Sequence, residues 1–360
     1  MGGGRMELKE YKEFLFPELE TYNQRMTDYL EKKLVEYGLI NRISKKEDEI
    51  TLDKIKKTNP NVLIGCVNHL EIKAIKFFEE WEFKKSYEYS VLFEATNLNK
   101  EHLLSKLSNV ATKFNIEDDM HEDIYAMIKN PTYIEEDDLI ILKFSLLKEA
   151  FHPQSEEKLK IKYPIAVVFY TNDNVVEVRY GTIKGFFVDD YRQFYSKNLK
   201  QVNSWITQNL EIVLDNFLLE KLISDLKDNE DVQLDGQDMR FSDGGTARLQ
   251  VGHKVSDPLP LLGELKKLIS ENEEFRESIA IQQLLETWIK SKEDEAEYNW
   301  ISICWPHKND VKWKNITVKF QFDYFGPDIC LLYHYSGPVG MERMNNVTRY
   351  IIKNRNCSES

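Results

Sequence analysis

Long apolar runs are missing from this sequence. None approaches the ~20 residues that a helix needs to cross a bilayer, and the N-terminal stretch MGGGRMELKEYKEF has no hydrophobic segment of the secretory kind. Cysteine is scarce too: Cys66, Cys304, Cys330 and Cys357 stand far apart, with no C-x-x-C. That pattern argues for a reducing compartment, by default the cytoplasm, and against a disulfide scaffold. Only 15 Gly and 10 Pro in 360 residues leave no room for a collagen-like or disordered chain. Nor is positive charge in excess. The formal net charge is −13, so the chain as a whole repels nucleic acid and anionic membrane. No membrane partner is expected, and nucleic acid needs a local basic patch.

What is present is globular: 42% hydrophobic and 30% charged residues, enough for a large core. At ~150 residues per domain the length suggests two domains. The GGGR before Met6 adds no helical periodicity, so the native chain is expected to start at Met6. The wealth of Lys, Asn, Ile and Glu suits an A+T-rich bacterial genome.

From Glu7 to Tyr37, Leu8, Tyr11, Leu15, Leu19, Tyr22, Met26, Tyr29 and Leu30 recur every three or four positions, with Gly38 as a stop and a bend or break expected at Pro17. NVLIGCV after Pro60 reads as a short strand, HLEIKAIKFFEEWEF is ambiguous, and SYEYSVLFEAT alternates as a strand should. Asn97 or Asn99 can cap KEHLLSKLSNVATKF, which carries Leu103, Leu107, Val110 and Phe114 on one face. DDMHEDIYAMIKN reads as a further helix. DLIILKFSLL and KLKIKYPIAVVFY read as strands, and TNDN turns the latter into VVEVRY as a hairpin. Residues 6–185 thus form a mixed α+β domain with mostly antiparallel strands, since the strands come in runs.

The second domain, residues 186–357, is expected to hold a helical core with a C-terminal antiparallel sheet and a terminal helix. Its chief element is a predicted core helix from Asn203 to Leu226, with Ile206, Leu210, Val213 and Phe217 in one row. VQLDGQDMRFSDGGTARLQV is a hairpin turning at Asp243, Gly244 and Gly245. Asp257 and Pro258 start a helix, and Phe275, Ile279, Leu284, Leu285 and Trp288 make another. Three strands and the helix MERMNNVTRYIIK finish the chain.

Few residues point to chemistry. CWPH (Cys304–His307) and CLLYH (Cys330–His334) have zinc-like spacing. However, NITVKFQFDYF alternates as a half-buried strand whose partner across FGP must be DICLLYHY. Extended, Cys330 and His334 stand roughly 13 Å apart, so no metal and no cofactor is expected. Asp173, Glu177 and Arg179 in NDNVVEVRY come nearest to a magnesium-nuclease E-x-K, but the spacing is short and cross-strand charge pairing is the simpler expectation. His121 lacks the second His of H-E-x-x-H, and SDGGTARLQVG is not a phosphate loop. No G-x-S-x-G occurs.

Charge is distributed unevenly. From Tyr298 to Ser360 eight Lys and Arg face five Asp and Glu, net +3, which leaves residues 1–297 at −16. In WPHKNDVKWKN, Lys308, Lys312 and Lys314 interleave with Trp305 and Trp313, a mixture suited to stacking on bases while holding phosphate. The same residues also serve to keep a sheet edge soluble and to fill core. The expected function is a bacterial accessory or scaffold subunit acting through protein contacts, with a protein partner or self-association. Phage-related and anti-phage operons encode such chains, although no residue here carries that placement. Two alternatives stand beside it. One is a nucleic-acid-binding subunit using Lys308, Lys312, Trp313 and Lys314, which a basic groove would favour. The other is an enzyme, most plausibly a metal-dependent nuclease, which clustered inward carboxylates would favour.

Overall fold

A computed structural model describes residues 8–43, 49–117, 130–136, 138–154, 157–226, 229, 231–241, 244–250, 265, 268–272, 275, 277–294, 297–306, 315–335 and 340–358. The chain is α+β, with mostly antiparallel strands and packed helices. It divides into two compact units, residues 1–215 with 338–342, and residues 216–337 with 343–360. Among the described residues no helix is long and apolar enough to cross a membrane.

The first unit opens with helices α1 (Leu8–Leu19), α2 (Gln24–Glu36), α3 (Leu52–Thr58), α4 (Val62–Leu70) and α5 (Ile72–Lys84). Pro17 does not break α1. It lies in the last turn, and the chain restarts at Asn23, whose side chain accepts from Met26 N at 3.0 Å. NVLIGCV is helix, not strand. The Asn61 side chain caps α4 by accepting from Leu63 N and Ile64 N, and Val62, Leu63, Cys66 and Val67 bury one helical face. A seven-residue apolar run carries no period of its own, so the cap decides. Gly65 allows α4 to lie against Ile55 and Asn59, where a Cβ would collide. The ambiguous HLEIKAIKFFEEWEF supplies α5, whose buried face includes Ala74, Ile75, Phe77, Phe78, Glu79, Trp81, Glu82 and Phe83.

Strand β1 (Tyr89–Thr96) follows, then α6 (Lys100–Val110), capped by Asn99 through His102 N at 3.0 Å. Strands β2 (Thr112–Lys113), β3 (Thr132–Glu136), β4 (Leu139–Phe151), β5 (Lys158–Tyr170) and β6 (Val175–Tyr180) line up with β1 in the order β2-β3-β4-β5-β6-β1. All neighbours are antiparallel except β2 and β3. The expected β5–β6 hairpin is present, Tyr170 opposite Val175, with Asn174 at φ +55° in the turn. The helices α1 and α5 pack on β5 and β4.

The helix predicted from Asn203 to Leu226 is not one element. Helix α7 (Tyr191–Leu210), capped by Asp190, ends where Glu211 adopts a left-handed φ of +59°. A strand, β7 (Val213–Asn216), pairs with β1, and a short helix α8 (Glu220–Leu226) begins afterwards. The spacing of Ile206, Leu210, Val213 and Phe217 fits a helix on paper. The burial past Leu210 has the period of an extended chain instead: Ile212 is buried, Val213 is 47% exposed, Phe217 and Leu219 are buried, and Leu218 between them is exposed. β-Branched Ile212 and Val213 favour that conformation.

The second unit builds a sheet in the order β12-β11-β10-β8-β9 from β8 (Gln233–Arg240), β9 (Thr246–Gln250), β10 (Glu297–Trp305), β11 (Ile316–Gln321) and β12 (Leu331–His334), antiparallel throughout. The β8–β9 hairpin turns at Gly244, φ +85°, as its glycines require. Helix α9 (Ile279–Asp294) precedes β10, and α10 (Glu342–Ser358) ends the chain.

Candidate functional site

The residues singled out for nucleic-acid contact, Lys308, Lys312, Trp313 and Lys314, lie outside the described residues, as do His307 and His121. For the cysteine and histidine pairs the strand reading holds. Strand β12 runs beside β11 with His334 opposite Val318, Cys330 directly precedes it, and Cys304 lies opposite Thr317. Cys304 and Cys330 are buried thiols. Glu177 and Arg179 pair along one strand and not across two. The guanidinium Nη2 donates to Glu177 Oε2 at 2.5 Å and to Tyr170 Oη at 2.9 Å, while Nη1 reaches Met341 Sδ at 3.6 Å. Both side chains are wholly buried, with Asp173 out in the turn.

The structure assembles a cluster that sequence reading missed. Carboxylates do gather inward: Glu79 and Glu82, one helical turn apart on α5, meet Lys143 of β4 and Lys162 of β5 where all four side chains are 0–1% exposed. Lys143 Nζ donates to Glu79 Oε2 at 2.5 Å and Glu82 Oε2 at 2.8 Å. Lys162 Nζ donates to both Glu82 oxygens, at 2.6 and 2.7 Å, and to Glu79 Oε1. The Tyr11 hydroxyl of α1 donates to Glu79 Oε1. Beside them Glu18 Oε1 accepts from Lys85 Nζ at 2.9 Å and from the Tyr22 hydroxyl at 3.1 Å. Three carboxylates therefore face three ammonium groups, and the cluster is neutral.

Burial and the nearby carboxylates push the Tyr11, Tyr22 and Tyr87 phenols well above their usual range, which keeps them neutral donors. Burial by itself would raise the Glu18 carboxyl. The positive charges of Lys85 and Lys162 outweigh it and hold that carboxyl below the usual range. Lys162 is likewise desolvated, yet Glu79 and Glu82 hold it well above the usual ammonium value. A cavity of about 110 Å³ adjoins the cluster, lined in part by Glu18, Tyr22, Lys85, Tyr87 and Tyr163. It has room for a few waters and is smaller than the ~300 Å³ of ordinary ligand pockets. Among the described residues no group of three or more His, Cys, Asp or Glu is arranged to hold a metal ion. The cluster fastens α1 and α5 to the sheet, and both oxygens of Glu79 and of Glu82 are already engaged, while Glu18 Oε2 is buried without a hydrogen-bond partner.

A surface of different chemistry lies on α9. Leu285 and Ile289 turn inward toward Leu265, Ile269 and Phe275. Leu284 is 70% and Trp288 50% exposed on another side of the helix, and Ile279 and Ile281 in its first turn are exposed as well. The open groove there is lined by Ala280, Gln283, Leu284, Leu285, Thr287, Trp288 and Ser291, with no charged side chain. Five of these, at positions 280, 284, 287, 288 and 291, follow helical spacing and form one stripe. In a chain that is 30% charged, this exposed stripe carries no charged side chain. The periodicity of Ile279, Leu284, Leu285 and Trp288 located the helix but could not tell the inner side from the outer.

No protein-family model matches the sequence, and no curated protein shows significant similarity to it.

Proposed function

We propose that this chain is an accessory or scaffold subunit that works through protein contacts, and that the uncharged stripe of α9 is a face on which it meets a second copy of itself. The observation that carries this reading is the exposure of Leu284 and Trp288 on a stripe without charge. A chain of net charge −13 repels its own copy over most of its surface. Two such stripes can meet without bringing like charges together. Antiparallel pairing about Leu284 sets bulky Trp288 of one copy on small Ala280 of the other. This pairing is isologous, the commonest arrangement in homodimers.

The cluster of Glu18, Glu79 and Glu82 gives less support to an enzyme, because each carboxylate is buried and already holds an ammonium group. The described cysteines Cys66, Cys304 and Cys330 are unpaired and buried, which suits a reducing cytoplasm.

The exposed stripe covers a few hundred Å² at most, less than the ~800 Å² per partner of a standard interface, so association should be roughly micromolar or weaker. Sedimentation equilibrium from micromolar to millimolar protein should show a concentration-dependent dimer, abolished by Leu284→Glu or Trp288→Glu while the circular dichroism spectrum stays unchanged. A wild-type chain that remains monomeric over that whole range would refute the proposal.

A further inference from the structure

The outward face of the β9-β8-β10-β11-β12 sheet carries a second surface, built from residues distant in sequence. Register places Arg248 of β9 opposite Asp238 of β8, Asp238 opposite Trp300 of β10, and Lys319 of β11 opposite both Ser302 of β10 and Tyr333 of β12. Gly236 of β8 has no Cβ, and one there would stand 3.3 Å from Trp300 Cζ3, so the indole lies close against the strand. Asp238 Oδ2 accepts from Trp300 Nε1 at 3.0 Å and from Arg248 Nη2 at 2.8 Å. Lys319 Nζ stands 4.3 Å and the Arg248 guanidinium carbon 5.9 Å from the indole centroid.

Two cations thus share one ring, and of the two Arg248 alone holds the carboxylate. Lys319 has no ion-pair partner among the described residues. Its partial burial and the neighbouring Arg248 lower its proton affinity against the pull of Asp238. Such a pair gains from an anion. The aromatic rings decide which kind: Tyr333 and Tyr335 stack edge-on at 4.6 Å beside Lys319, and Tyr335 is exposed. A cation with an indole on one side and a tyrosine pair on the other provides a phosphate contact and flat π-faces together, the combination by which sheet surfaces hold unpaired bases.

We infer that this sheet face binds single-stranded nucleic acid, taking phosphate at Arg248 and Lys319, the latter braced on the Trp300 ring, and bases against Tyr333 and Tyr335. The reading is independent of the α9 stripe. Against the net charge of −13, binding is weak and confined to low salt.

Fluorescence anisotropy with labelled oligo-dT and oligo-rU, titrated between about 50 and 200 mM salt, tests it on the full chain. The expected result is salt-sensitive binding. Lys319→Gln should weaken it, and Lys319→Gln with Arg248→Gln should weaken it at least about tenfold and flatten the slope of log K against log salt by about 1.4, at ~0.7 per phosphate on a single strand. Lys319→Arg should retain it, and thermal melts should show that the variants are folded. Absence of binding at the lowest salt, or binding that the folded double variant keeps, would overturn the inference. So would displacement of the oligonucleotide by polyglutamate at equal charge concentration, which would make the face a site for acidic protein.

Discussion

Lys162→Met should destabilise the first unit by about 3–5 kcal/mol, because it leaves buried carboxylate charge without its counterion. Lys162 alone contacts both Glu82 oxygens and Glu79 Oε1. Lys143, the ammonium that remains on Glu79 and Glu82, cannot by itself balance two carboxylates that are 1% exposed. Urea denaturation followed by far-ultraviolet circular dichroism measures the loss, and a near-neutral result would mean that the cluster is hydrated and loose. The pH profile gives an independent reading. The Glu18 carboxyl is held below its unfolded value of about 4.3, so its contribution is complete above that pH and is lost as pH falls through the folded value. The Lys162 ammonium is held above its unfolded value of about 10.4. Its contribution is complete below that pH and is lost as pH rises through the folded value. The wild type should therefore be most stable between the two, and Lys162→Met should lose the part of the alkaline arm that this ammonium supplies.

Phe217→Ala should cost the second unit about 3–5 kcal/mol through lost transfer energy and the cavity left behind. The ring is fully buried and lies 5.1 Å beneath the Arg355 guanidinium of α10. Its neighbour supplies the control. Leu218 is 66% exposed, so Leu218→Ala should stay within about 0.5 kcal/mol. Equal effects from the two substitutions, by chemical denaturation, would contradict the extended alternation of this segment.

That segment also shows what sequence alone could and could not reveal. The strand Ile316–Gln321 was legible from its alternation, and Val175–Tyr180 from the TNDN turn that joins it to the preceding strand. The Asn203–Leu226 stretch was misread because four apolar residues at helical spacing also satisfy a helix end followed by an extended chain, and only the left-handed Glu211 separates the two. The NVLIGCV run failed for want of any period, and Asn61 was the signal that could have corrected it. Glu79 and Glu82 were visible as charges in an apolar helix, and Lys143 and Lys162 as charges in apolar strands. Their pairing across 61 to 83 residues is a fact of tertiary structure. Trp300, Lys319 and Arg248 meet only through strand register, which no local motif in the sequence shows.

Disulfide trapping at position 284 tests the pairing of α9 most directly. If two copies pair antiparallel about Leu284, a Leu284→Cys chain, with Cys357 replaced by Ser, places its two new thiols opposite each other, within the 4.4–6.8 Å Cα separation, in order-of-magnitude terms, that a disulfide spans. Mild oxidation at a protein concentration where dimer forms should then yield a covalent dimer. Glu286→Cys, on the charged side of the same helix, should stay monomeric. A covalent dimer from both variants alike, or from neither, would contradict the account.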